Sequence, residues 1–322
     1  MEAKVDEINS SRSEHKSNSI LTLLKDINCL VMFITAFIMT MGVQLINPVI
    51  PEIISYFKIS EVRAGLVISL FTFPTIIISP IVGSLSSRFG YKIFLFLGVI
   101  ALGIPGILPS IFKISFNSLL IIRTIQGMGF AIAMPFTIAA LGDFNTGNRE
   151  VSSQGVRNFF ISVAGFLFPV IGGALAVIAW NYPFACYWAA LPIAYIILRY
   201  LPSDKKFSKK KELNLTDFTH KFIELKNPYI NIGIYSSSVR FFITDGTRFF
   251  IPIYLVYRFS SNLALVGAVL GFTSMVKALI ALFTGKIVGF LGFKRSFIFC
   301  FTLLSLSCLF MPLVSSIHLL SI

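Results

Sequence analysis

An all-α integral membrane bundle is the fold class this sequence predicts, and three observations predict it. Apolar residues (AVILMFWYC) make up 56% of the 322 positions and charged residues only 13%, against about 25% charged in a soluble domain. Nine apolar stretches of membrane-spanning length follow one another along the chain. Lys and Arg gather in alternate loops between them. A chain with so few charges cannot cover that much apolar surface in water, and phenylalanine alone occurs 34 times. A soluble enzyme, a disordered scaffold and a nucleic-acid-binding module are therefore poor readings. The formal charge of +13 fits loops that are basic on one side of a bilayer.

A spanning helix needs about 20 mainly apolar residues. Such stretches cover 28–50, 63–84, 92–112, 118–141, 156–178, 181–201, 229–256, 264–286 and 295–315. Residues 1–27 form a polar arm containing acids. No small-residue cleavage signal follows the first stretch, which reads as a signal-anchor and first span. The arm carries four Lys and Arg, the second loop Arg88 and Lys92, and the fourth loop Arg149 and Arg157. Loop 199–228 has eight, and Lys286, Lys294 and Arg295 follow the eighth stretch. The opposite side has only Lys58, Arg63, Lys113 and Arg258. The positive-inside rule then predicts a multi-pass cell-membrane protein with its N-terminus in the cytoplasm, and nine spans put the C-terminus outside.

Loop 202–228 is the one clear shift in composition. Its cluster Lys205, Lys206, Lys209, Lys210 and Lys211 reads first as a solvated cytoplasmic linker, and second as a site for acidic headgroups. The stretch Asn214-Leu215-Thr216 matches a glycosylation acceptor but faces the cytoplasm on this topology. Cys29, Cys186, Cys300 and Cys308 all fall inside apolar stretches, and His15, His220 and His318 are scattered. No metal site and no cofactor is expected.

Self-comparison divides the chain further. Gly83 pairs with Gly285, Gly90 with Gly292, Lys92 with Lys294 and Gly65 with Gly267, always 202 residues apart. The end of the first stretch, Pro48-Val49-Ile50-Pro51, is similar to Ile251-Pro252-Ile253-Tyr254 at nearly that offset. Two parallel six-helix halves are implied. The arm is 1–27, the first half 28–201, the basic linker 202–228, and the second half 229–322 with three helices. On this count residue 322 corresponds to residue 120, so equivalents of helices ten to twelve are expected to be missing.

Gly83 to Lys92 (GSLSSRFGYK) resembles the loop signature of the major facilitator superfamily, G-x-L-x-D-R-x-G-R-K. Arg123 to Gly129 (RTIQGMG) resembles its fourth-helix signature R-x-x-Q-G-x-G. Ala164 to Gly173 (AGFLFPVIGG) is similar to the fifth-helix pattern G-x-x-x-G-P-x-x-G-G, and Trp180 to Phe184 to the start of the sixth helix. The departures are Ser87 in place of Asp, Ala164 in place of the first Gly, and Phe168 in place of the Gly before Pro169. The resemblance runs from about residue 28 to the end. It implies a bundle of the major-facilitator type: a complete first six-helix half and three helices of the second. In the family the Arg at the position of Arg123 is often linked to proton transfer.

Gly127, Gly129, Gly172 and Gly173 let helix backbones approach closely, and Pro169 can kink its helix where halves rock. Of these, Gly127 and Pro169 join Gly83, Arg88, Gly90, Gly285 and Gly292 as the conformational signature. Charges inside a bilayer are costly and mark functional candidates. Arg123 lies in the outer third of the fourth stretch, where Gln126 and backbone carbonyls offer a structural alternative. Lys277 falls near the middle of the eighth, with Thr273, Ser274 and Thr284 on the same stripe. The first stretch has a similar stripe in Thr40, Gln44 and Asn47. In the seventh, Asp245 and Arg248 are three apart and pair on one face, and Arg240 lies deeper. Asp245 is the only carboxylate inside any predicted span and so the candidate proton carrier.

The resemblance implies a secondary transporter, not an enzyme. It would move a small-molecule substrate between the halves by alternating access. Proton-coupled efflux of an organic compound is the first expectation, transport of an organic anion the alternative. A reading of another class is a truncated or split-gene product, partnered by a separately encoded C-terminal fragment. The bilayer and protons complete the expected partners.

Overall fold

Apolar length, a few polar caps and the placement of proline set the helices. A computed structural model describes residues 20–146, 148–202, 228–259, 262–276 and short stretches between 294 and 306. A single turn, α1 (Ile20–Lys25), leads to Asp26, whose carboxylate accepts from the Asn28 amide at 3.1 Å. That cap opens α2 (Ile27–Gln44). The first span does not stop at residue 50. A 3-10 turn (Asn47–Val49) and α3 (Ile50–Phe57) carry it on to residue 57. Pro48 and Pro51 each sit in the first turn of their piece, where a missing amide proton costs no helical bond. Lys58, left-handed at φ 52°, ends α3.

Next comes α4 (Glu61–Phe89), 29 residues long. It absorbs most of the segment read as a loop after residue 84. Only Gly90, at φ +74°, breaks the backbone before α5 (Tyr91–Ile111). Ser115 caps α6 (Phe116–Phe144) by accepting from the Ser118 amide at 3.2 Å. The fifth span, α7 (Asn148–Ala176), starts eight residues before the expected 156. The sixth is a composite: a 3-10 segment (Tyr182–Ala189) followed by α8 (Ala190–Tyr200). Side chains three apart eclipse in a 3-10 helix. Phe184 and Tyr187 use that spacing, both buried, on a segment packed against α5.

Five of these spans are long and apolar enough to cross a membrane: 27–57, 61–79, 91–111, 116–144 and 152–176. The long α9 (Pro228–Phe259) has 32 residues but carries Arg240, Asp245 and Arg248 in its middle. A shorter apolar helix, α10 (Leu263–Val276), follows. All described elements are helical.

Residues up to Met275 form one compact unit, and Val276–Ile322 a second. In the second, the Thr302 and Ser305 hydroxyls bond back to the carbonyls of Phe299 and Phe301. Within the first unit, α6 packs against α4 and α5, α2 against α7 and α6, and α5 against the 3-10 segment and α8. Lipid gives helices no hydrophobic reason to associate, so close backbone approach supplies the contact. A methyl group on Gly98 of α5 would come within 2.7 Å of the Gly129 carbonyl of α6. One on Gly127 would run into the Phe71 carbonyl of α4. Between α7 and α10 the same device recurs, with Gly173 against the Leu263 carbonyl and Gly267 against that of Pro169.

Candidate functional site

Arg123 is the largest fully buried side chain among the described residues, 1% exposed. Its Nε donates to the Val67 carbonyl of α4 at 3.1 Å, and Nη2 to the Gly42 carbonyl of α2 at 2.8 Å. Nη1 donates to Gln126 Oε1 at 2.9 Å and to the Tyr187 hydroxyl at 3.4 Å. The Phe71 ring centroid lies 4.3 Å from the guanidinium carbon. Gln126 in turn donates through Nε2 to the Leu102 carbonyl of α5 at 2.9 Å. One cation thus ties together α2, α4, α5, α6 and the 3-10 segment. Its charge is spread over carbonyl dipoles, a phenol and a ring face. The spacing of Arg123 and Gln126 was legible in the sequence. Tyr187, 64 residues away inside an aromatic run, carried no signal.

A second buried guanidinium was missed. The sequence count places Arg157 with the fourth loop because the apolar stretch begins at 156. In fact it lies on the tenth residue of α7 and is 5% exposed. Its Nε donates to Thr137 Oγ1 of α6 at 2.8 Å. Nη1 reaches Asn158 Oδ1 and Nη2 the Met134 sulfur, both at 3.4 Å. The available signal was polar spacing: Gln154, Asn158 and Ser162 flank it on one side of a helix.

On α9, Asp245 and Arg248 form an ion pair of 3.7 Å, with side chains 59% and 25% exposed respectively. Arg240 is exposed and its guanidinium carbon stands 4.3 Å from the Phe241 ring centroid. Along the first span, Thr40 bonds back to the Ala36 carbonyl at 2.8 Å, Asn47 is buried in the 3-10 turn, and Gln44 is half-buried. On α10, Thr273 and Ser274 both bond back to the Leu270 carbonyl, and Ser274 packs on Gly165 of α7. Pro169 presents its carbonyl to Gly267 of α10. Gly83 and Arg88 lie in the last turns of α4. Lys277, Thr284, Gly285 and Gly292 lie outside the described residues.

Where α2 begins, polar side chains join three helices. Arg149 of α7 pairs with Asp26 at 2.9 Å and donates through Nε to Asn145 Oδ1 at 2.6 Å. Asn145 Nδ2 bonds the Leu141 carbonyl at 3.0 Å and the Cys29 sulfur of α2 at 3.5 Å. Close by in sequence, the Tyr91 hydroxyl of α5 donates to the Asp143 carboxylate of α6.

Known proteins share this architecture. The sequence profile of the Major Facilitator Superfamily matches residues 32–322. Multidrug resistance protein 1 of Bacillus subtilis (strain 168) is 30% identical over 160 residues, 50% of this chain and 41% of that protein. Quinolone resistance protein NorA of Staphylococcus aureus is 26% identical over 178 residues, 55% of this chain and 46% of that protein. The matched segments thus span less than half the length of these curated relatives. A bacterial homolog of the human lysosomal transporter Spinster, solved inward-facing and unoccupied, superposes with a TM-score of 0.69 at 17% identity. That match covers 82% of this chain and 62% of the other. A D-xylose–proton symporter gives 0.62 at 14% identity, covering 83% and 70%. At such identities the structures speak for the fold. The profile match over nine-tenths of the sequence speaks for descent, and the chain belongs to the Major Facilitator Superfamily, a membrane family of transporters rather than enzymes.

Proposed function

We propose that this chain works as a secondary transporter that exports a small organic solute by alternating access, in exchange for protons. The observation that carries this reading is the match of half the chain to two drug-resistance proteins. Its geometry supports the same reading. Arg123 and Gln126 hold the first half together as one body. Between α7 and α10, Gly173 and Gly267 let the backbones approach closely, a contact suited to helices that shift against one another. In this scheme the halves are 28–201 and 229–322, joined by the basic linker 202–228, with the N-terminal arm and linker in the cytoplasm. Asp245 carries the proton and Arg248, its ion-pair partner, tunes that proton's release. Substrate would contact Gln44, Asn47, Arg240, Thr273, Ser274 and Lys277. The test is flux of ethidium in proteoliposomes holding the full chain. An imposed proton gradient should drive it, and Asp245→Asn should uncouple it; flux indifferent to the gradient would sink the proposal.

One observation favours a second reading, transport of an organic anion. Arg123, Arg157, Arg240 and Arg248 lie in the helices of the first unit, against Asp245 as their counterpart within the predicted spans. Benzoate uptake that survives Lys277→Gln and Arg240→Gln together would overturn it.

A further inference from the structure

Arg123 and Arg157 are buried to similar degrees, yet their surroundings differ in kind. Arg123 is met by two backbone carbonyls, an amide oxygen, a phenol and a ring face. Arg157 has one good acceptor, Thr137 Oγ1 at 2.8 Å. Its other two partners, an amide oxygen and a thioether sulfur at 3.4 Å, are at the weak end of bonding. Each Nη has a second N–H that meets no acceptor among the described residues. Nor does a protein carboxylate neutralise it there. Asp26 is taken by Arg149 and Asp143 by Tyr91, while Glu150 reaches Gly142 of α6.

A guanidinium removed from water needs an anion or a full set of dipoles, and this one has neither. Thr137 fixes the Nε edge, and the Nη pair, met by Asn158 and the Met134 sulfur, is a planar fork of the kind that takes a carboxylate through two parallel bonds. Beside it on α7, Asn158 accepts from Nη1 and is exposed, while Gln154 is bonded to the Ile138 carbonyl of α6. An anion therefore has a polar approach to an otherwise buried charge.

We propose that Arg157 is the anchor of an anion-binding site between α6 and α7, built for the carboxylate of a small organic solute. Thr137 positions the fork and Asn158 lines its entrance. The site bears on the organic-anion transport reading by naming a substrate class, but its occupancy is a binding property that stands or falls without any flux.

The experiment is calorimetric titration of the full chain, in phosphatidylcholine nanodiscs, with benzoate and with its neutral isostere benzamide. Saturable binding of benzoate at one per chain, and none of benzamide, is the expected result. Arg157→Lys keeps the buried charge but loses the fork, and should weaken benzoate about tenfold or more. Thr137→Val leaves Arg157 in place with its Nε edge unpinned, and should weaken binding by a smaller factor. Should Arg157→Lys fail to fold, Thr137→Val carries the test alone. Equal affinity in wild type and either folded variant overturns the proposal, and so does absence of benzoate binding. Loss of benzoate binding when phosphatidylglycerol replaces phosphatidylcholine would assign the fork to a lipid headgroup and also overturn it. Benzoate binding without flux would leave this site standing while the organic-anion transport reading fell.

Discussion

A single guanidinium joins five helical segments at Arg123, and the cost of losing it follows from what it leaves behind. Arg123→Leu strands two backbone carbonyls, Gln126 and Tyr187 in a buried place, so it should destabilise the protein by about 2–4 kcal/mol. Arg123→Lys keeps the charge but has no fork to reach Val67 and Gly42 together, and should recover less than half of that. Thermal unfolding in detergent reads both. Two glycines make a matched comparison at the same scale. Gly127→Ala drives a methyl into the Phe71 carbonyl and should cost about 1–3 kcal/mol. Gly246→Ala meets nothing within 4 Å in the half-buried middle of α9, and should be neutral or stabilising by about 0.5–1 kcal/mol. Arg123 and Gln126 were readable as a pair because three residues make nearly one helical turn. Their partners at 42, 67, 102 and 187 were not, because contacts across a bundle leave no fixed spacing. Arg157 was misplaced for a different reason. A count of apolar residues marks where lipid begins, whereas α7 starts eight residues earlier and buries the arginine against α6 instead of exposing it to a loop.

Helix ends were the least legible elements, and each discrepancy has a local cause. Prolines at 48 and 51 restart the first span rather than end it, and only Gly90 separates α4 from α5. Asp26 shows how an end is held, since it both caps α2 and pairs with Arg149. Asp26→Asn keeps the cap and removes the charge; Asp26→Ala removes both. The first should cost well under 1 kcal/mol, because both partners are about 30% exposed, and high salt should erase the difference from wild type. The second should cost about 1 kcal/mol more and remain at high salt. Between α7 and α10, a Cβ on Gly165 would stand 3.3 Å from that of Ser274, near the separation a disulfide requires. The double variant Gly165→Cys, Ser274→Cys should therefore cross-link under mild oxidation, the oxidant taking two electrons, seen as a mass loss of about two hydrogen atoms. Failure to form that bond would contradict the packing of these two helices.

For the whole molecule, the glycines paired in the self-comparison can be set against the packing. Gly65 and Gly267, 202 residues apart, each lie against a helix across the linker: Gly65 beside Phe249 of α9, Gly267 against Pro169 of α7. The two contacts differ in kind, since Gly65 meets the Phe249 ring at ordinary contact distance while Gly267 lies directly against the Pro169 backbone. Orientation is testable at this scale. With native cysteines removed, Lys209→Cys should react with an impermeant maleimide in inside-out vesicles and stay unmodified in intact cells. The reverse pattern would overturn the reading of the basic loops as cytoplasmic.

The Arg123 junction also sets an order of assembly during synthesis. Gly42 and Val67 precede the arginine along the chain, and Gln126 follows at once, so three of its four hydrogen-bonding partners are in hand when α6 is made. The fourth, Tyr187, leaves the ribosome some sixty residues later, after α7. Until then the cation sits in a bilayer with one side open to lipid, a state that favours retention beside the insertion machinery over release. Arrival of the 3-10 segment closes the ring. Ribosome-stalled chains ending before residue 182 should thus stay protease-sensitive, and those carrying α8 into the membrane should become resistant as one block.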